Sequence, residues 1–414
     1  SELHRATGSK NLCLAGGVAL NSIANSVIAS RGPFENVFIQ PAANDGGQAI
    51  GLAYHGHLLL TSNGHSSSKP QAHINSNSGI HPIKHNYGGR VYGREEIEEV
   101  LLRSGLTFRE LPNDEAVAEE ASQELVDHRI LGWFQGGCEY GPRALGHRSI
   151  LANPDREETK DLLNRRVKFR EPFRPFAPSV LIERASDIFE MTGASPYMLL
   201  VVPVRESWKK RVPAITHVDG TARVQTVDPE TEPLFYKLIS TFERKTGIPL
   251  VLNTSFNLRG MPIVESPYDA LQCFLYTDMD SLYLGRFRIG RAEPALLFPS
   301  KSAGWEFTVE YNIDSGKRTL ICKHNDTSKQ IMVDATPEFL SLCEALDGER
   351  SLQSAYDKAY GHSASLTIQS VVCQIQSLVR QGVMQLRVGN LTFKHPEIKC
   401  HFWQAAVQEA SNKR

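Results

Sequence analysis

Seven lysine and arginine side chains lie in two short stretches near the middle of this chain, residues 141–149 and 164–174. Guanidinium groups bind oxyanions through paired hydrogen bonds, and an ammonium group adds a compact positive charge. Cations crowded in this way repel one another unless an anion lies between them. The two stretches therefore predict a site for a phosphate or triphosphate, with these candidate ligands: Arg143, Arg148, Lys168, Arg170 and Arg174.

Two further segments place polar side chains on or at the end of predicted strands. Arg223 lies where a glycine-containing turn enters a strand, and an apolar strand ends in Asn253 and Ser255. Amide and hydroxyl groups at a strand end hydrogen-bond well to a base, a ribose or a small carbonyl compound. The alternative is a turn capped by its own side chains, and for Asn257 we favour that interpretation.

Two glycine-rich junctions between a strand and a helix lie in the first 60 residues. Gly16 and Gly17 follow the first apolar run, and Asp45 follows the second. Glycines let backbone N–H groups approach a phosphate at a helix N-terminus, although an ordinary tight turn has the same composition. The Asp45 carboxylate suits either a metal ion or the cap of the next helix. Two such junctions so close together favour a shared ligand cleft.

The composition narrows the class of protein. The 414 residues, 41% of them hydrophobic, suffice for two or three domains. Because 45 Lys and Arg balance 46 Asp and Glu, we expect neither nucleic acid nor a membrane surface as a partner. The seven cysteines include no CxxC pair, which argues against a disulfide framework or a zinc ribbon. No apolar run approaches the about 20 residues that span a bilayer, and we expect a cytoplasmic protein.

The pattern of predicted elements gives a fold class and three parts. Helices alternating with strands at Val180, Val201, Val224 and Val251 predict a mixed α/β sheet in residues 93–295. Residues 61–92 are rich in serine, asparagine and glycine and predict a linker. In residues 300–414, strands, three helices and a hairpin across Gly389 and Asn390 predict a small α+β, winged-helix-like tail.

Several motifs together resemble the O-carbamoyltransferases that decorate nodulation factors and antibiotics. They are residues 15–22, 40–51, 141–149, 167–178, 219–225 and 252–257. The resemblance implies that residues 1–60 are the C-terminal part of an actin-like (ASKHA) ATPase domain that transfers the carbamoyl group. It also implies that residues 93–295 are a YrdC-like domain that makes an adenylate. The tail has no counterpart in the motifs that carry the resemblance.

The resemblance also implies ligands and site residues. The co-substrates would be ATP, carrying Mg(II), and carbamoyl phosphate, and the transfer domain would hold a divalent metal, Fe(II). Asp45 matches the last aspartate ligand of that metal, whose two-histidine helix would precede residue 1, so we expect a fragment. The turn that faces the adenylate matches Gly16, Gly17 and Asn21. The contact positions of the middle domain match Arg143, Lys168, Arg174, Arg223, Asn253 and Ser255.

The expected reaction follows from these roles. Lys168 and Arg174 would neutralise phosphates, while Arg143 and Arg223 would orient the carbamoyl group or the α-phosphate. The product, carbamoyl adenylate, would donate its carbamoyl group to a hydroxyl of a small molecule, a natural product or a sugar. A homodimer and a protein partner for the tail stay open. Two other classes also stay open: a nucleotide-binding regulatory or scaffold protein, and a carbamoyl-dependent maturation or tRNA-modifying factor.

Overall fold

The structure is a computed structural model that describes residues 2–61, 85–171, 173–258, 260–311, 317–361 and 367–393. Most of the predicted linker, with His81, lies outside these ranges. The α-helices are α1 (Glu2–Thr7), α2 (Ser22–Arg31), α3 (Gln48–Thr61), α4 (Arg94–Ser104), α5 (Asp114–Val126), α6 (Glu158–Leu163), α7 (Ala185–Ile188), α8 (Glu206–Lys209), α9 (Pro233–Thr246), α10 (Pro267–Leu275), α11 (Pro337–Ala345), α12 (Leu352–Tyr360) and α13 (Ile368–Arg380).

The strands follow the same chain order. They are β1 (Asn11–Leu14), β2 (Asn36–Ile39), β3 (Phe108–Glu110), β4 (Leu131–Phe134), β5 (Arg148–Ala152), β6 (Ala177–Leu181), β7 (Leu200–Pro203), β8 (Thr221–Val227), β9 (Leu250–Ser255), β10 (Ser281–Leu284), β11 (Phe287–Gly290), β12 (Phe298–Lys301), β13 (Trp305–Tyr311), β14 (Arg318–His324), β15 (Gln330–Asp334), β16 (Met384–Val388) and β17 (Leu391–Phe393).

A mixed sheet of nine strands forms the middle of the molecule, in the order β3-β11-β10-β4-β5-β9-β6-β8-β7. Two neighbouring pairs, β4 with β10 and β6 with β8, are parallel. The remaining neighbours are antiparallel. The prediction of a mixed α/β sheet is therefore confirmed, including the strands predicted at Val180, Val201, Val224 and Val251.

The central strands are buried on both faces, since helices and loops cover the sheet. Every residue of β4, β5 and β6 is buried. Helix α9 begins at Pro233 and ends before Gly247, whose φ of 71° suits glycine. It buries Phe235, Leu238 and Phe242 at the spacing of one helix face. Polar side chains that such a sheet carries must therefore find partners inside the protein.

The first segment confirms both predicted strand-turn-helix junctions. Strands β1 and β2 pair in parallel, each followed by a short 3-10 helix and then by α2 or α3. The segment joins the edge of the large sheet through α2. Asn25 Nδ2 donates to the Leu199 carbonyl at 3.1 Å, and the Val201 amide donates to Ser26 Oγ at 2.7 Å.

The tail contains two three-stranded sheets, β12-β16-β17 and β13-β14-β15, and the helices α11, α12 and α13. The three predicted helices and the hairpin at Gly389 and Asn390 are confirmed. The winged-helix-like interpretation stays a prediction, and the sheet β13-β14-β15 is an addition to it. Leu378 of α13 belongs to the same hydrophobic core as Leu282 of β10, so the tail packs directly onto the middle region. Among the helices that the structure describes, none is both long and apolar enough to cross a membrane.

Candidate active site

Two adjacent parts of the sheet bring the predicted polar residues to one face. Asn253 and Ser255 are two residues apart on β9, and Arg223 and Gln225 are two residues apart on β8. Residues at that spacing point to the same side of a strand. Because Asn253 Nδ2 donates to Gln225 Oε1 at 3.2 Å, both pairs lie on the same face of the sheet.

A buried hydrogen-bond network on this face supports the turn that carries Arg143. Asn253 Nδ2 donates to Ser179 Oγ at 2.9 Å, and Ser179 Oγ donates to Gln225 Oε1 at 2.6 Å. Gln225 Nε2 in turn donates to the Leu145 carbonyl at 2.7 Å. Asn253 is 1% exposed and its Nδ2 also donates to the Ala144 carbonyl of the turn at 3.3 Å, while its Oδ1 is buried without a partner among the described residues, so its predicted contact with a ligand stays a prediction.

Three arginines meet above this network. Burial and the positive charges of Arg143 and Arg170 lower the pKa of the Arg223 guanidinium to about 9. Burial also lowers the pKa of Arg143. The Nε atoms of Arg143 and Arg223 are buried without a hydrogen-bond partner, and neither side chain pairs with a carboxylate among the residues that the structure describes. Buried, unpaired cations are costly, which is the property of a preformed anion site.

Lys168 lies next to this cluster, at the end of a π-helix (Asn164–Lys168). Its ammonium donates to the carbonyl and hydroxyl of Ser255 and to the carbonyl and side chain of Asn257, the Oδ1 contact being 3.0 Å. Burial, followed by the charge of Arg170, lowers the pKa of Lys168 to about 7. Lys168 and Ser255 are thus brought together as predicted. Asn257, which we interpreted only as a turn residue, is a further member of the site.

The other predicted cations have different environments. Arg170 Nε donates to Asn164 Oδ1 at 2.8 Å, and its guanidinium lies 4.6 Å from the centre of the Phe176 ring. Arg174 lies at the exposed rim, with its Nε 3.2 Å from Glu171 Oε2. Its charge lowers the pKa of Arg170, after burial, which keeps Arg174 within electrostatic reach of the cluster.

Arg148 is a correction to the predicted ligand set. It is fully buried, donates to the carbonyls of Gln135 at 2.7 Å and Gly136 at 3.1 Å, and stacks at 3.5 Å on the ring of Phe134. Carbonyl oxygens and an aromatic face thus take up its charge inside the protein. We therefore interpret Arg148 as a structural residue, although its Nε is buried without a hydrogen-bond partner among the described residues.

Glu139 is a residue that the sequence analysis missed. Its Oε1 accepts the backbone N–H groups of Leu145 at 2.8 Å, His147 at 2.8 Å and Arg148 at 3.2 Å. One carboxylate oxygen thus holds the turn that displays Arg143. An acidic residue immediately before a glycine-rich basic turn was the signal in the sequence, since unpaired turn amides need an acceptor.

A second buried group of titratable residues lies behind the same turn. The ring of Tyr87 stacks on His85 at 3.8 Å and on His147 at 3.9 Å. His147 Nδ1 is 3.4 Å from Glu232 Oε2. Burial lowers the pKa of His147 to about 3, and burial followed by the charge of Glu139 raises that of Glu232 to about 9. These directions make His147 neutral and Glu232 protonated near neutral pH.

A cleft of about 600 Å³ lies where the first segment meets the middle region. The first segment lines it with Gly16, Asp45 and Gly47, and the middle region adds Tyr140 and Tyr197. Burial raises the pKa of Tyr140, and the phenol groups of Tyr197 and Tyr54 add to that effect. The predicted cleft between the two glycine-rich junctions is therefore present, with an aromatic wall from a part of the chain that we had assigned to the other site.

Gly141 connects the cleft with the arginine cluster. Its φ is 100°, and a Cβ there would lie 2.7 Å from the carbonyl oxygen of Pro41, so only glycine fits without movement. Tyr140, one residue earlier, lines the cleft, while Arg143, two residues later, belongs to the cluster. One turn therefore touches both sites.

The remaining predicted residues of the first segment differ in role. Gly16, with a φ of 96°, lies in the cleft, and Gly17 begins the 3-10 helix that follows it. Asn21 is a correction, because its Oδ1 accepts the amides of Ile23 at 3.2 Å and Ala24 at 3.1 Å and so caps α2. The structure thus uses the Oδ1 atom of this side chain as a helix cap.

The metal expectation does not fit the residues present. Asp45 begins a 3-10 helix and exposes a single carboxylate to the cleft. Among the described residues, no three His, Cys, Asp or Glu side chains are grouped so as to hold an ion. Divalent metals take several protein ligands, so Asp45 is not a metal site by itself.

Comparison with known proteins identifies the family to which this chain belongs. Residues 1–54 match the family model described as carbamoyltransferase N-terminus, and residues 122–291 match carbamoyltransferase C-terminus. The chain belongs to the carbamoyltransferase family. It is 37% identical over 366 residues to the nodulation protein NolO of Bradyrhizobium diazoefficiens, covering 86% of this chain and 64% of that protein.

Two more relatives define the extent of the match. The uncharacterized protein sll1178 of Synechocystis sp. is 40% identical over 328 residues, 74% of this chain and 51% of that protein. The crystal structure of HypF from T. kodakarensis aligns with a TM-score of 0.25 and 14% identity over 59% of this chain and 31% of that one, a likeness too low to carry an argument. This chain thus spans about half to two thirds of the length of these two curated relatives.

Proposed function

We propose that the arginine cluster of the middle region is the site at which a carbamoyl group is activated with ATP. The observation that carries this proposal is the pair Arg143 and Arg223, which are only partly exposed, interact electrostatically with each other and with Arg170, and have no carboxylate partner among the described residues. A triphosphate would supply the negative charge that this arrangement lacks. Membership of the carbamoyltransferase family names the second co-substrate, carbamoyl phosphate.

The proposed activation has two steps, hydrolysis of carbamoyl phosphate and adenylation of the carbamate that it releases. Water cleaves carbamoyl phosphate to carbamate and phosphate. An oxygen of carbamate then attacks the α-phosphorus of ATP, a new P–O bond forms, and the bond to the bridging oxygen of the β-phosphate breaks. The products are carbamoyl adenylate and pyrophosphate. The cations would hold carbamate and ATP in line against their mutual repulsion, with Mg(II) carried by the ATP.

Each residue has a role in this proposal. Arg143 and Arg223 would bind the α-phosphate and the planar carbamoyl group through their paired N–H groups. Lys168 would add positive charge at the phosphates, and its contacts with Ser255 and Asn257 would orient it. Arg170 and Arg174 would bind the leaving pyrophosphate at the open rim. The YrdC-like character of this region is part of the proposal.

The cleft of the first segment would serve the transfer step, as in an actin-like transfer domain. There a hydroxyl oxygen of a small-molecule acceptor attacks the carbamoyl carbon, AMP leaves, and the hydroxyl proton passes to a base or to water. Gly16 would let the adenylate approach the backbone, while Tyr140 and Tyr197 would contact a ring of the ligand. No step is assigned to a metal, because the described residues do not form its site.

The decisive experiment measures pyrophosphate release from ATP by this chain, with and without carbamoyl phosphate. We expect release only when both are present, and its loss in Arg223→Met. Binding of ATP that is equal with and without carbamoyl phosphate, together with no turnover, would favour a nucleotide-binding regulatory protein and refute the proposal. The acceptor is then sought by mass spectrometry as a gain of one carbamoyl group on a hydroxyl compound.

A further inference from the structure

The tail contacts the loop that carries Lys168 and Arg170 at the ring of Phe169. This residue stands between Lys168 and Arg170 and ends the π-helix Asn164–Lys168. The guanidinium of Arg380, the last residue of α13, lies 3.7 Å from the centre of the Phe169 ring. A residue more than 200 positions later in the chain therefore packs on the loop that carries two of the cations.

Phe169 needs such support because of its backbone. Its φ is 46° and its ψ is 50°, the left-handed region, which a bulky residue other than glycine rarely adopts. A conformation of this kind persists only where surrounding contacts hold it. Stacking of a mostly desolvated guanidinium on the ring is a contact of sufficient strength. Burial lowers the pKa of Arg380 to about 10, in keeping with its position between the two regions.

The same helix also fixes the element behind Lys168. Arg380 Nη1 donates to the Tyr276 carbonyl at 2.6 Å, and Gln376 Nε2 donates to the carbonyls of Leu275 at 2.8 Å and Thr277 at 3.1 Å. These are carbonyls at the C-terminal end of α10, which the helix itself leaves without partners. Helix α13 thus holds the end of α10 and the Phe169 ring in one fixed relation.

The middle of the π-helix is anchored to the segment that follows α10. Arg166 Nε donates to Asp278 Oδ2 at 2.7 Å, and its Nη2 donates to Asp280 Oδ1 at 3.1 Å. Lys168 and Arg170 have contacts of their own with Asn257 and Asn164. The turn between these two cations, at Phe169, is the part of the loop that contacts α13.

We propose that the tail positions the cation loop, and that Arg380 is the positioning residue, which acts through Phe169 on Lys168 and Arg170. The tail then contributes to the activating site by holding this loop in place, and we call the contact of Arg380 with Phe169 the clamp. The identity of the ligand rests on the proposed function, whereas the clamp itself does not. Its first consequence is that loss of the Arg380 side chain loosens residues 164–171 in the protein without any ligand.

Hydrogen exchange measured by mass spectrometry tests this consequence. In Arg380→Ala we expect the amides of residues 164–171 to lose about tenfold in protection, the size of one desolvated cation–π contact. The matched control is Arg387→Ala. Arg387 makes the same kinds of contact within the tail, 4.5 Å over the Phe298 ring and 2.6 Å to the Gly348 carbonyl, and its removal should leave the loop unchanged.

Titration calorimetry with ATP and Mg(II) gives the second readout. We expect Arg380→Ala to raise the dissociation constant about tenfold and Arg387→Ala to change it less than about twofold. Arg380→Lys, which keeps the charge and loses the planar group, should give an intermediate value. Phe169→Leu should raise the dissociation constant as much as Arg380→Ala does, and the double variant should raise it no further, because both changes remove the ring contact; the hydrogen bond to Tyr276, which only Arg380→Ala breaks, should not affect ATP binding.

The outcomes separate the two proposals. Unchanged exchange in residues 164–171 overturns the clamp, as does an equal loss in Arg387→Ala or additive effects in the double variant. If Arg380→Ala does not fold, Arg380→Lys and Phe169→Leu carry the same comparison. A wild-type chain that exchanges as expected but releases no pyrophosphate would overturn the proposed reaction and leave the clamp standing.

Discussion

Replacement of Arg223 by methionine should stabilise the protein and weaken its binding of ATP. Methionine fills similar space without charge. In the structure without ligand, Arg223 is largely buried beside two other arginines, and its Nε has no partner among the described residues. Loss of such a charge relieves repulsion and desolvation, while loss of a guanidinium removes hydrogen bonds to a bound phosphate.

The magnitude follows from the pKa of Arg223. Its fall to about 9 from the ordinary arginine value corresponds to a cost of roughly 5 kcal/mol for holding the charge in place. This is an upper bound on the gain in stability, because part of the side chain is in contact with solvent. Each hydrogen bond to a charged group contributes about 1.5–3 kcal/mol. The dissociation constant for ATP should therefore rise by roughly 10- to 100-fold.

The assay combines thermal unfolding without ligand and calorimetry with ATP and Mg(II). We expect Arg223→Met to raise Tm by a few degrees and to lose most of its ATP affinity. Arg148→Met is the contrasting control, since Arg148 is fully buried and bonded to carbonyls, and its loss should lower Tm by leaving those acceptors unpaired. A lower Tm with unchanged ATP binding in Arg223→Met would refute the assignment of this cluster as an anion site.

Three further predictions concern the turn, the buried acid and the loop. Glu139→Ala should lower the free energy of unfolding by about 3 kcal/mol, roughly 1 kcal/mol for each of three lost hydrogen bonds, and should reduce pyrophosphate release. Glu139→Gln keeps a carbonyl acceptor and should retain most of the stability and most of the pyrophosphate release. In wild type, the raised pKa of Glu232 means that the folded state holds its proton better than the unfolded state. Stability should thus decline as pH rises from about 5 toward 9, and Tm measured across this range in Glu232→Gln should lack that component; the same decline in both proteins would contradict it. Asn257→Ala removes an acceptor of Lys168 and should raise the dissociation constant for ATP about tenfold, with Tm lowered only slightly; unchanged affinity would exclude Asn257 from the site.

Local patterns were sufficient to predict most of the elements. The two strand-turn-helix junctions, the strands at Val180, Val201, Val224 and Val251, and the hairpin at Gly389 all follow from residue spacing and turn composition. These signals are local, because a side chain's period and a glycine's backbone freedom act within a few residues. The order of the nine strands was not predictable in this way, since it depends on contacts between distant segments.

The residues of the candidate site likewise fall into those that local sequence patterns predicted and those that only distant contacts decided. Residue type and motif were enough to propose Arg143, Lys168, Arg223 and Ser255. They did not separate Arg148, whose charge is taken up by Gln135 and Gly136, from the arginines that remain unpaired. Asn253 and Asn21 were assigned to ligands from their motifs, and only the structure shows that Asn253 supports a turn and that Asn21 caps a helix.

The sequence by itself determined that this protein concentrates cations in short motifs on a mixed α/β framework, because charge and hydrophobic period are properties of the chain. Only the tertiary structure decided which cations stay without partners, since the carbonyls and carboxylates that neutralise them come from distant segments. The same holds for the contact of Arg380 with Phe169, which no local pattern contains. Long-range packing sets the energy of a buried charge, and that energy distinguishes a binding residue from a structural one.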